Sequence, residues 1–341
     1  MDATSPELHL AAANSALLAE DAEAFDRLVT CAATSVRGKR GSRPAKRTKS
    51  SAESEDYLKQ SLHYSTDGAH LLDTTGAPVM MGWEHPLMER HAAQLHQHLA
   101  ALVEAGETIS VLNVGFGLGL MDEALQERFG GDSRELAHTI VEAHPDVVRH
   151  ARAAGWAERP GVQLLEGRWQ AVLPELAAAH EQFDAIFFDT YAETYADQHA
   201  FFDLLPALLR PSGVASYFNG LAADNAFYHA VYCRIAQLDV SSLSRPQDGL
   251  RLALTFEPVP VGSLGDDTWA QVRGRYWSFP VYVAPQIKWT EDSSESLGGV
   301  AHQALYPFFA QMLELSPCDD ADDSPAADEG SDAVRDGARP T

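Results

Sequence analysis

The chain has 341 residues, of which 45% are apolar, and its formal net charge at pH 7 is −24. A chain of this length can bury the core of one large domain or of two domains. The sequence has neither the roughly 18 consecutive apolar residues of a membrane helix nor the apolar region of a signal peptide, so we expect a soluble intracellular protein. The negative charge argues against direct binding of nucleic acid and favours a cationic partner.

The cysteines and histidines do not form a pattern typical of metal sites. The three cysteines are far apart in the sequence and include no C-x-x-C pair. His91, His96 and His98 share one predicted helical stretch and fit a solvated helix face better than a ligand set. The sequence therefore indicates neither a disulfide framework nor a zinc site.

The amino-terminal residues 1–35 are predicted to form a small helical appendage. The Ala- and Leu-rich stretch 5–33 has the spacing of two short antiparallel helices, which also fits a fragment of a helical repeat. Residues 36–55 are predicted to be a basic flexible linker, because segment 36–50 holds seven Lys or Arg and no acid. A nuclear-import signal is the other interpretation of this basic run.

A globular domain is predicted over residues 56–315, followed by a disordered acidic tail over 316–341. The domain begins with a short helix and a hairpin around the turn 73–76. Alternating helices and strands then predict an α/β fold with a doubly wound parallel sheet. The predicted elements are helix 88–103, strand 109–114, helix 120–129, strand 138–141, helix 145–154, strand 162–165, helix 170–179, strand 183–188, helix 200–209, strand 214–218, helix 226–237, and strands near 250–256 and 276–283.

Strand 109–114 runs directly into the glycine turn Gly115-Phe-Gly117-Leu-Gly119. Glycines suit a loop in which a ligand lies against bare backbone. The G-x-G-x-G spacing differs from the G-x-G-x-x-G of dinucleotide sites, although Glu142, at the end of the next strand, is placed to hold ribose hydroxyls. The residues alone leave open a nicotinamide cofactor, S-adenosylmethionine, or a tight turn without a ligand.

Polar residues follow the carboxyl ends of several predicted strands, which is where open parallel sheets bind ligands. Asp189 directly follows strand 183–188 and is either a functional acid or the N-cap of the next helix. Glu84 lies in a loop expected to cover the same edge, and its alternative is a solvated loop acid. Trp169 is suited either to stacking on an adenine or to packing in the core.

Seven stretches of the chain, spread from about residue 57 to 288, carry a family resemblance. The chain resembles the fungal protein-arginine N5-methyltransferases (type IV), relatives of guanidinoacetate methyltransferase among the class I S-adenosylmethionine-dependent methyltransferases. That resemblance implies a seven-stranded, Rossmann-like sheet. The matching stretches are PVMMGWEHPLME, VLNVGFGLGL, IVEAHPDV, LLEGRWQAVLP, FDAIFFDTYAE, LLRPSGVASYFNGLAADN and RYWSFPVY.

Site residues follow from the resemblance by matching position. Met80 and Glu84 fall where the guanidinoacetate enzyme contacts its guanidino substrate, and Asn219 is assigned to the substrate side as well. The residues assigned to S-adenosylmethionine are Tyr57, Met88, Gly115, Phe116, Gly117, Leu118, Gly119, Leu120, Glu142, Ala143, His144, Arg168, Trp169 and Asp189.

The main hypothesis is methylation of the internal (δ) guanidino nitrogen of an arginine in a protein substrate. Glu84 and Asp189 are the predicted catalytic pair, and no metal is required. The resemblance offers a large-subunit ribosomal protein as one candidate substrate. The expected intracellular location and the basic run make the cytoplasm and nucleus the candidate locations. A small guanidino compound is the alternative substrate, but Leu221-Ala222 replaces the Thr-Ser pair that holds it in the related enzyme. A non-catalytic adaptor and a nicotinamide oxidoreductase are the remaining rivals.

Overall fold

The computed structural model describes residues 22–38, 56–130, 136–191, 194–262, 264–291 and 303–309, with the side chains of 35–38 left out. The first predicted amino-terminal helix, most of the basic linker and the acidic tail lie outside these residues. Among the helices that the structure describes, none is long and apolar enough to cross a membrane.

The described helices and strands agree with the predicted order, with shifted ends. Short 3-10 turns lie at Gly82–Glu84, Trp156–Glu158 and Pro246–Asp248. The elements are α1 (Ala22–Gly38), β1 (His63–Tyr64), β2 (His70–Leu72), β3 (Pro78–Met81), α2 (His85–His98), α3 (Ala100–Glu104), β4 (Ile109–Val114), α4 (Leu120–Phe129), β5 (Leu136–Glu142), α5 (Pro145–Ala153), β6 (Val162–Glu166), α6 (Trp169–Ala178), β7 (Phe183–Phe188), α7 (Tyr195–Leu208), β8 (Leu209–Tyr217), α8 (Ala226–Ser241), β9 (Ser244–Arg245), β10 (Leu250–Pro260), α9 (Asp266–Trp269) and β11 (Val281–Glu291).

The central sheet has the strand order β6-β5-β4-β7-β8-β11-β10-β9. Strands β4 to β8 pair in parallel, whereas β9, β10 and β11 run antiparallel to their neighbours. The chain first builds the sheet outward from β4 through β5 to β6 and then returns to add β7 on the other side of β4. This confirms the predicted doubly wound α/β fold. The sheet has eight strands, one more than the predicted seven, because the two-residue β9 pairs with the start of β10.

Successive strand residues face opposite layers of the core, as the two-residue period of a strand requires. In β7, Ile186 and Phe188 belong to the core that includes the inner faces of α6, α7 and α8. Ala185 and Phe187 belong to the core under α2, α4 and α5. The strand is buried on both faces, which explains its uninterrupted apolar sequence.

A second, antiparallel sheet of β1, β2 and β3 lies over the glycine turn. The sulfur of Met80, on β3, lies 3.2 Å from the backbone nitrogen of Leu118. The turn Gly82–Glu84 follows β3 and leads directly into α2. This hairpin therefore brings Glu84 to the carboxyl edge of the large sheet.

Helix α1 packs against the domain, where we predicted an appendage joined by a linker starting at residue 36. Phe25 and Val29 are fully buried in the same core as α8, and the helix continues through Gly38. The carboxylate of Asp26 accepts hydrogen bonds from Arg234 of α8, at 3.2 Å, and from the Leu305 N–H, at 3.0 Å. These contacts tie α1 and segment 303–309 to the outer face of α8.

Replacing Asp26 by Ala should lower the unfolding free energy measured by urea denaturation. The Arg234 side chain is only 5% exposed and would lose its partner, whereas Asp26 is 23% exposed. Because solvent screens the pair in part, we expect a loss of about 2 to 3 kcal/mol. The control is Glu23→Ala, which removes an exposed pair with Arg27 and should cost about 0.5 kcal/mol or less. Equal, small effects of both variants would contradict the docking of α1.

Candidate active site

A cavity of about 370 Å³ lies at the carboxyl edge of the parallel strands. It opens where the strand order reverses, between β4 and β7, the position at which open α/β sheets bind ligands. Its walls come from residues that follow β4, β5, β6, β7 and β8, from the β2–β3 hairpin and from the segment before β11.

Backbone hydrogen bonds hold the strand ends of this edge side by side. The Gly115 N–H donates to the Val141 carbonyl at 2.8 Å. The Asp189 N–H donates to the Val114 carbonyl at 2.8 Å. The glycine turn and Asp189 are therefore fixed next to each other by the sheet itself.

The glycine turn requires glycine at two positions for both conformation and space. Gly115 has φ +95°, and a Cβ there would lie 1.8 Å from the carbonyl oxygen of Asp189. Gly117 has φ +55°, and a Cβ there would lie 2.5 Å from the sulfur of Met80. Side chains would both strain the backbone and fill this space, so the turn presents bare backbone to the cavity.

A cluster of buried polar side chains is hydrogen-bonded to the glycine turn. The Asn113 amide donates to the Gly115 carbonyl at 2.9 Å and to the Asp122 carboxylate at 2.8 Å. The imidazole of His138 lies 3.1 Å from the same carboxylate. We did not predict Asn113 or Asp122 from the sequence, although a polar residue inside the apolar strand β4 was a usable signal.

Glu142 ends β5 and places its carboxylate in the wall of the cavity. Its oxygens accept the Phe116 N–H at 2.9 Å and the His144 N–H at 2.7 Å. Burial raises the pKa of Glu142, and these hydrogen bonds act in the opposite direction. These hydrogen bonds link the glycine turn to the end of β5. They also place a carboxylate in the cavity that can accept hydrogen bonds from the hydroxyl groups of a ligand.

Glu84 and Asp189 line the same cavity, Glu84 from the turn after β3 and Asp189 from the end of β7. Glu84 is 3% exposed, and its Oε1 accepts the Met81 N–H at 2.8 Å and the Tyr276 hydroxyl at 2.5 Å. Asp189 is the first residue after β7. Burial and the negative charge of Asp189 raise the pKa of Glu84 to about 8. Burial raises the pKa of Asp189 to about 7.

Both raised pKa values show that the charged carboxylates are poorly solvated, and the charge of Asp189 also raises the pKa of Glu84. Such a pair favours a bound proton or a bound cation over two free negative charges. The site is therefore suited to a cationic ligand that can hydrogen-bond to both carboxylates.

The structure brings most of the predicted site residues to the cavity. Met88 is instead fully buried in the core beneath it, and Gly119 caps α4. His144 caps α5, with Nδ1 accepting the Asp146 N–H at 3.1 Å. The predicted residues that line the cavity are Tyr57, Met80, Glu84, Gly115, Phe116, Gly117, Glu142, Ala143, Arg168, Trp169 and Asp189. The predicted residues that do not line it are Met88, Leu118, Gly119, Leu120, His144 and Asn219.

The side chain of Asn219, assigned to the substrate, points away from the cavity. Its amide donates to the Val283 carbonyl at 3.1 Å and lies 3.4 Å from the Cys233 sulfur. Its neighbours Phe218 and Gly220 line the cavity in its place. In this structure Asn219 positions the loop after β8.

Several lining residues were not predicted as site residues, among them two tyrosines. The ring of Tyr191 stacks on that of Tyr57, with centroids 4.5 Å apart, and Tyr57 also packs on His144 at 5.0 Å. Tyr276 comes from the segment before β11. Tyr191 lies two residues after the predicted Asp189 and was within reach of sequence reasoning, and Tyr276 lies in the stretch RYWSFPVY, which carried the resemblance without giving this residue a role.

Comparison with known proteins gives matches across this region. The family model described as guanidinoacetate N-methyltransferase matches residues 49–288. Protein arginine N-methyltransferase 2 of Yarrowia lipolytica is 37% identical over 232 residues, which cover 67% of this chain and 46% of that protein. The protein of the same name from Aspergillus fumigatus is 37% identical over 239 residues, covering 70% of this chain and 51% of that protein. The chain thus spans about half the length of these curated relatives.

Solved structures give more distant likenesses. An O-methyltransferase from Bacillus cereus in complex with SAH has a TM-score of 0.37 and 16% identity, and the match covers 57% of this chain and 81% of that one. The family model, in contrast, covers well over half of this chain and includes every residue that lines the cavity. The chain belongs to the guanidinoacetate N-methyltransferase family of S-adenosylmethionine-dependent methyltransferases.

Proposed function

We propose that this chain uses S-adenosylmethionine to methylate the internal (δ) guanidino nitrogen of an arginine in a protein. The observation that carries the proposal is the pair of carboxylates, Glu84 and Asp189, in the cavity beside the glycine turn. The fungal relatives named protein arginine N-methyltransferase 2 support an arginine substrate. A large-subunit ribosomal protein as the substrate, and the cytoplasm and nucleus as locations, stay predictions.

The residues of the cavity fit S-adenosylmethionine. The bare backbone of Gly115 and Gly117 allows close approach of a ligand, and Glu142 is placed to accept the ribose hydroxyls. Trp169 lines the cavity and packs edge-on against Phe188, with ring centroids 5.3 Å apart, so its position beside an adenine would be rigid. When bound, the cofactor supplies a methyl group on a positively charged sulfur.

The carboxylate pair addresses the main obstacle in arginine methylation. A free guanidinium has a pKa above about 12, and its nitrogen lone pairs are delocalised, so it is a poor nucleophile in water. Glu84 and Asp189 can bind its terminal N–H groups and draw the positive charge toward them. The lone pair of the internal nitrogen then becomes more available for attack on the methyl carbon.

The transfer conserves atoms and charge within the site. The bound cofactor would supply the methyl carbon to the internal nitrogen and would keep the electron pair of the carbon–sulfur bond that breaks. The arginine then loses one guanidinium proton to a carboxylate of the pair. Because their pKa values lie near neutrality, Glu84 and Asp189 can accept a proton and release it again at physiological pH.

A small guanidino acid such as guanidinoacetate is the alternative substrate. In the related enzyme that this chain resembles, a Thr-Ser pair in the loop after β8 holds this small substrate. In that loop Gly220 and Leu221 line the cavity, and neither offers a charge or a hydroxyl group. This absence favours an arginine side chain, whose own carboxylate is already part of a peptide bond.

Mass spectrometry distinguishes the two substrates. The purified chain is incubated with isotope-labelled S-adenosylmethionine and either a protein extract or guanidinoacetate, and labelled peptides are fragmented. The proposal requires label on the internal nitrogen of arginine. Label on terminal nitrogens, or on guanidinoacetate only, would refute it.

Replacing Glu84 by Gln should lower turnover on arginine without changing the affinity for the cofactor. The variant keeps the size of the side chain but loses the charge that pairs with the guanidinium. Loss of such a desolvated contact costs about 2 to 5 kcal/mol, so turnover on arginine should fall between about thirtyfold and several thousandfold. The affinity for S-adenosylmethionine, measured by calorimetry, should stay within about twofold of wild type.

Asp189→Asn should lower both turnover and cofactor affinity, because Asp189 lines the cavity and the resemblance assigns it to the cofactor as well as to the carboxylate pair. The control is Glu166→Gln, a half-exposed acid outside the cavity, which should change neither quantity. Equal loss of cofactor affinity in Glu84→Gln and Asp189→Asn would place Glu84 in the cofactor site. Near-normal turnover of Glu84→Gln would exclude the paired mechanism.

The raised pKa values of the pair predict a distinct pH dependence. At pH values below about 7 to 8 the acids hold protons and bind a guanidinium poorly, so kcat/KM for arginine should rise with pH through this range.

The folded state holds the Glu84 proton to higher pH than the unfolded chain, in which the pKa of Glu84 is near 4.5. The stability of the ligand-free protein should therefore fall as pH rises from about 5 to 8. Urea denaturation at several pH values should show a smaller fall for Glu84→Gln.

A further inference from the structure

The segment between β10 and β11 brings one hydroxyl group to the catalytic pair. The Tyr276 hydroxyl donates to Oε1 of Glu84 at 2.5 Å, and the Met81 N–H donates to the same oxygen at 2.8 Å. These two donors occupy the usual acceptor positions of Oε1. Among the described residues, none donates a hydrogen bond to Oε2, so this oxygen is available to a ligand in the cavity.

Tyr276 is held in place from several directions. Its ring packs edge-on against Trp269, with centroids 5.4 Å apart, and lies 5.7 Å from the ring of Trp83. Earlier in the same segment, the Arg273 N–H donates to the Gly76 carbonyl at 2.7 Å. After the tyrosine, the Ser278 N–H donates to the Ala223 carbonyl at 3.1 Å.

These contacts connect Tyr276 to both substrate-side elements. Gly76 lies in the β2–β3 hairpin that carries Glu84, and Ala223 lies in the loop after β8. Because both ends of the segment are tied, the hydroxyl has a fixed position relative to the cavity. Burial and the charge of Glu84 raise the pKa of Tyr276 well above its ordinary value, so the hydroxyl stays protonated and acts as a donor.

We propose that Tyr276 is a positioning residue, which holds Oε1 of Glu84 so that Oε2 faces the guanidinium of the substrate. The inference rests on the proposed function and adds a residue to it. Tyr276 acts through Glu84, because its hydroxyl is already committed to that carboxylate. A carboxylate held by one oxygen presents the other in a fixed direction, as two-point binding of a guanidinium requires.

The same hydrogen bond also favours the charged form of Glu84. The titratable groups that act on Glu84 in the described structure are Asp189 from the end of β7, Tyr276 from the segment before β11, and Tyr282 on β11. Burial and Asp189 raise the pKa of Glu84, whereas the hydrogen bond from Tyr276 lowers it. Loss of the hydroxyl should therefore raise this pKa further.

Tyr276→Phe tests the proposal, because phenylalanine keeps the ring that packs on Trp83 and Trp269. The rise of kcat/KM with pH should move upward by about one pH unit, which corresponds to about a tenfold loss at neutral pH. Above the shifted midpoint turnover should stay below that of wild type, because Oε2 is no longer held toward the guanidinium, and the affinity for S-adenosylmethionine should not change. A profile identical to wild type, or an equal loss at every pH, would overturn the proposal.

Tyr195→Phe is a matched control. It also removes a hydroxyl that donates to a buried carboxylate, Asp239, at 2.8 Å, but Tyr195 does not line the cavity. Its pH profile should coincide with that of wild type. A shift equal to that of Tyr276→Phe would show that the effect is not specific to Glu84, and would overturn the assignment.

A second measurement keeps this inference separate from the proposed function. Binding of methylguanidine to the protein with S-adenosylhomocysteine is measured by calorimetry between about pH 6 and 9, where the pair titrates. Tyr276→Phe should require a higher pH than wild type for the same affinity. If wild type binds methylguanidine more tightly as pH rises, and Tyr276→Phe shifts this dependence to higher pH, the role of Tyr276 stands. If wild type nevertheless methylates no arginine, only the proposed function fails. An unshifted pH dependence, or no binding by wild type, refutes that role.

Discussion

Two carboxylates that line one cavity favour a bound proton or cation, since their charged forms repel where few waters screen them. Glu84, which is buried, and Asp189, which is half-buried, are such a pair; burial raises the pKa of both, and the charge of Asp189 raises the pKa of Glu84 further. A guanidinium resolves the conflict because it is cationic and donates hydrogen bonds in several directions. The carboxylate pair is therefore suited to the group that the proposed reaction modifies.

The topology of the sheet brings these acids together with the glycine turn. Strand order reverses between β4 and β7, so Gly115 and Asp189 emerge side by side and are fixed by backbone hydrogen bonds. This part could be predicted from the sequence, because the ends of buried parallel strands are visible as apolar runs followed by Gly or Asp. The role of Glu84 was less visible, since a loop acid before a proline has no periodic signal. Its assignment came from the family resemblance of the surrounding stretch.

The parts that sequence reasoning missed depend on side-chain direction and on distant partners. Phe218 and Gly220 line the cavity, whereas Asn219 lies between them in a tight turn, closed by the Gly220 N–H and the Phe218 carbonyl at 3.2 Å, and its amide bonds to the Val283 carbonyl. Tyr276 lies 192 residues from Glu84, and no local pattern encodes a contact at that separation. Helix α1 was predicted from its periodicity, but its partner Arg234 lies 208 residues from Asp26, so its docking could be read only from the fold.

The most direct test of the carboxylate pair is a crystal structure of the protein with S-adenosylhomocysteine and methylguanidine. The account predicts a guanidinium whose nitrogens lie about 3 Å from Oε2 of Glu84 and from the carboxylate of Asp189, with one nitrogen facing the sulfur of the cofactor product. A guanidinium bound elsewhere in the cavity, or contacting only one of the two acids, would contradict it.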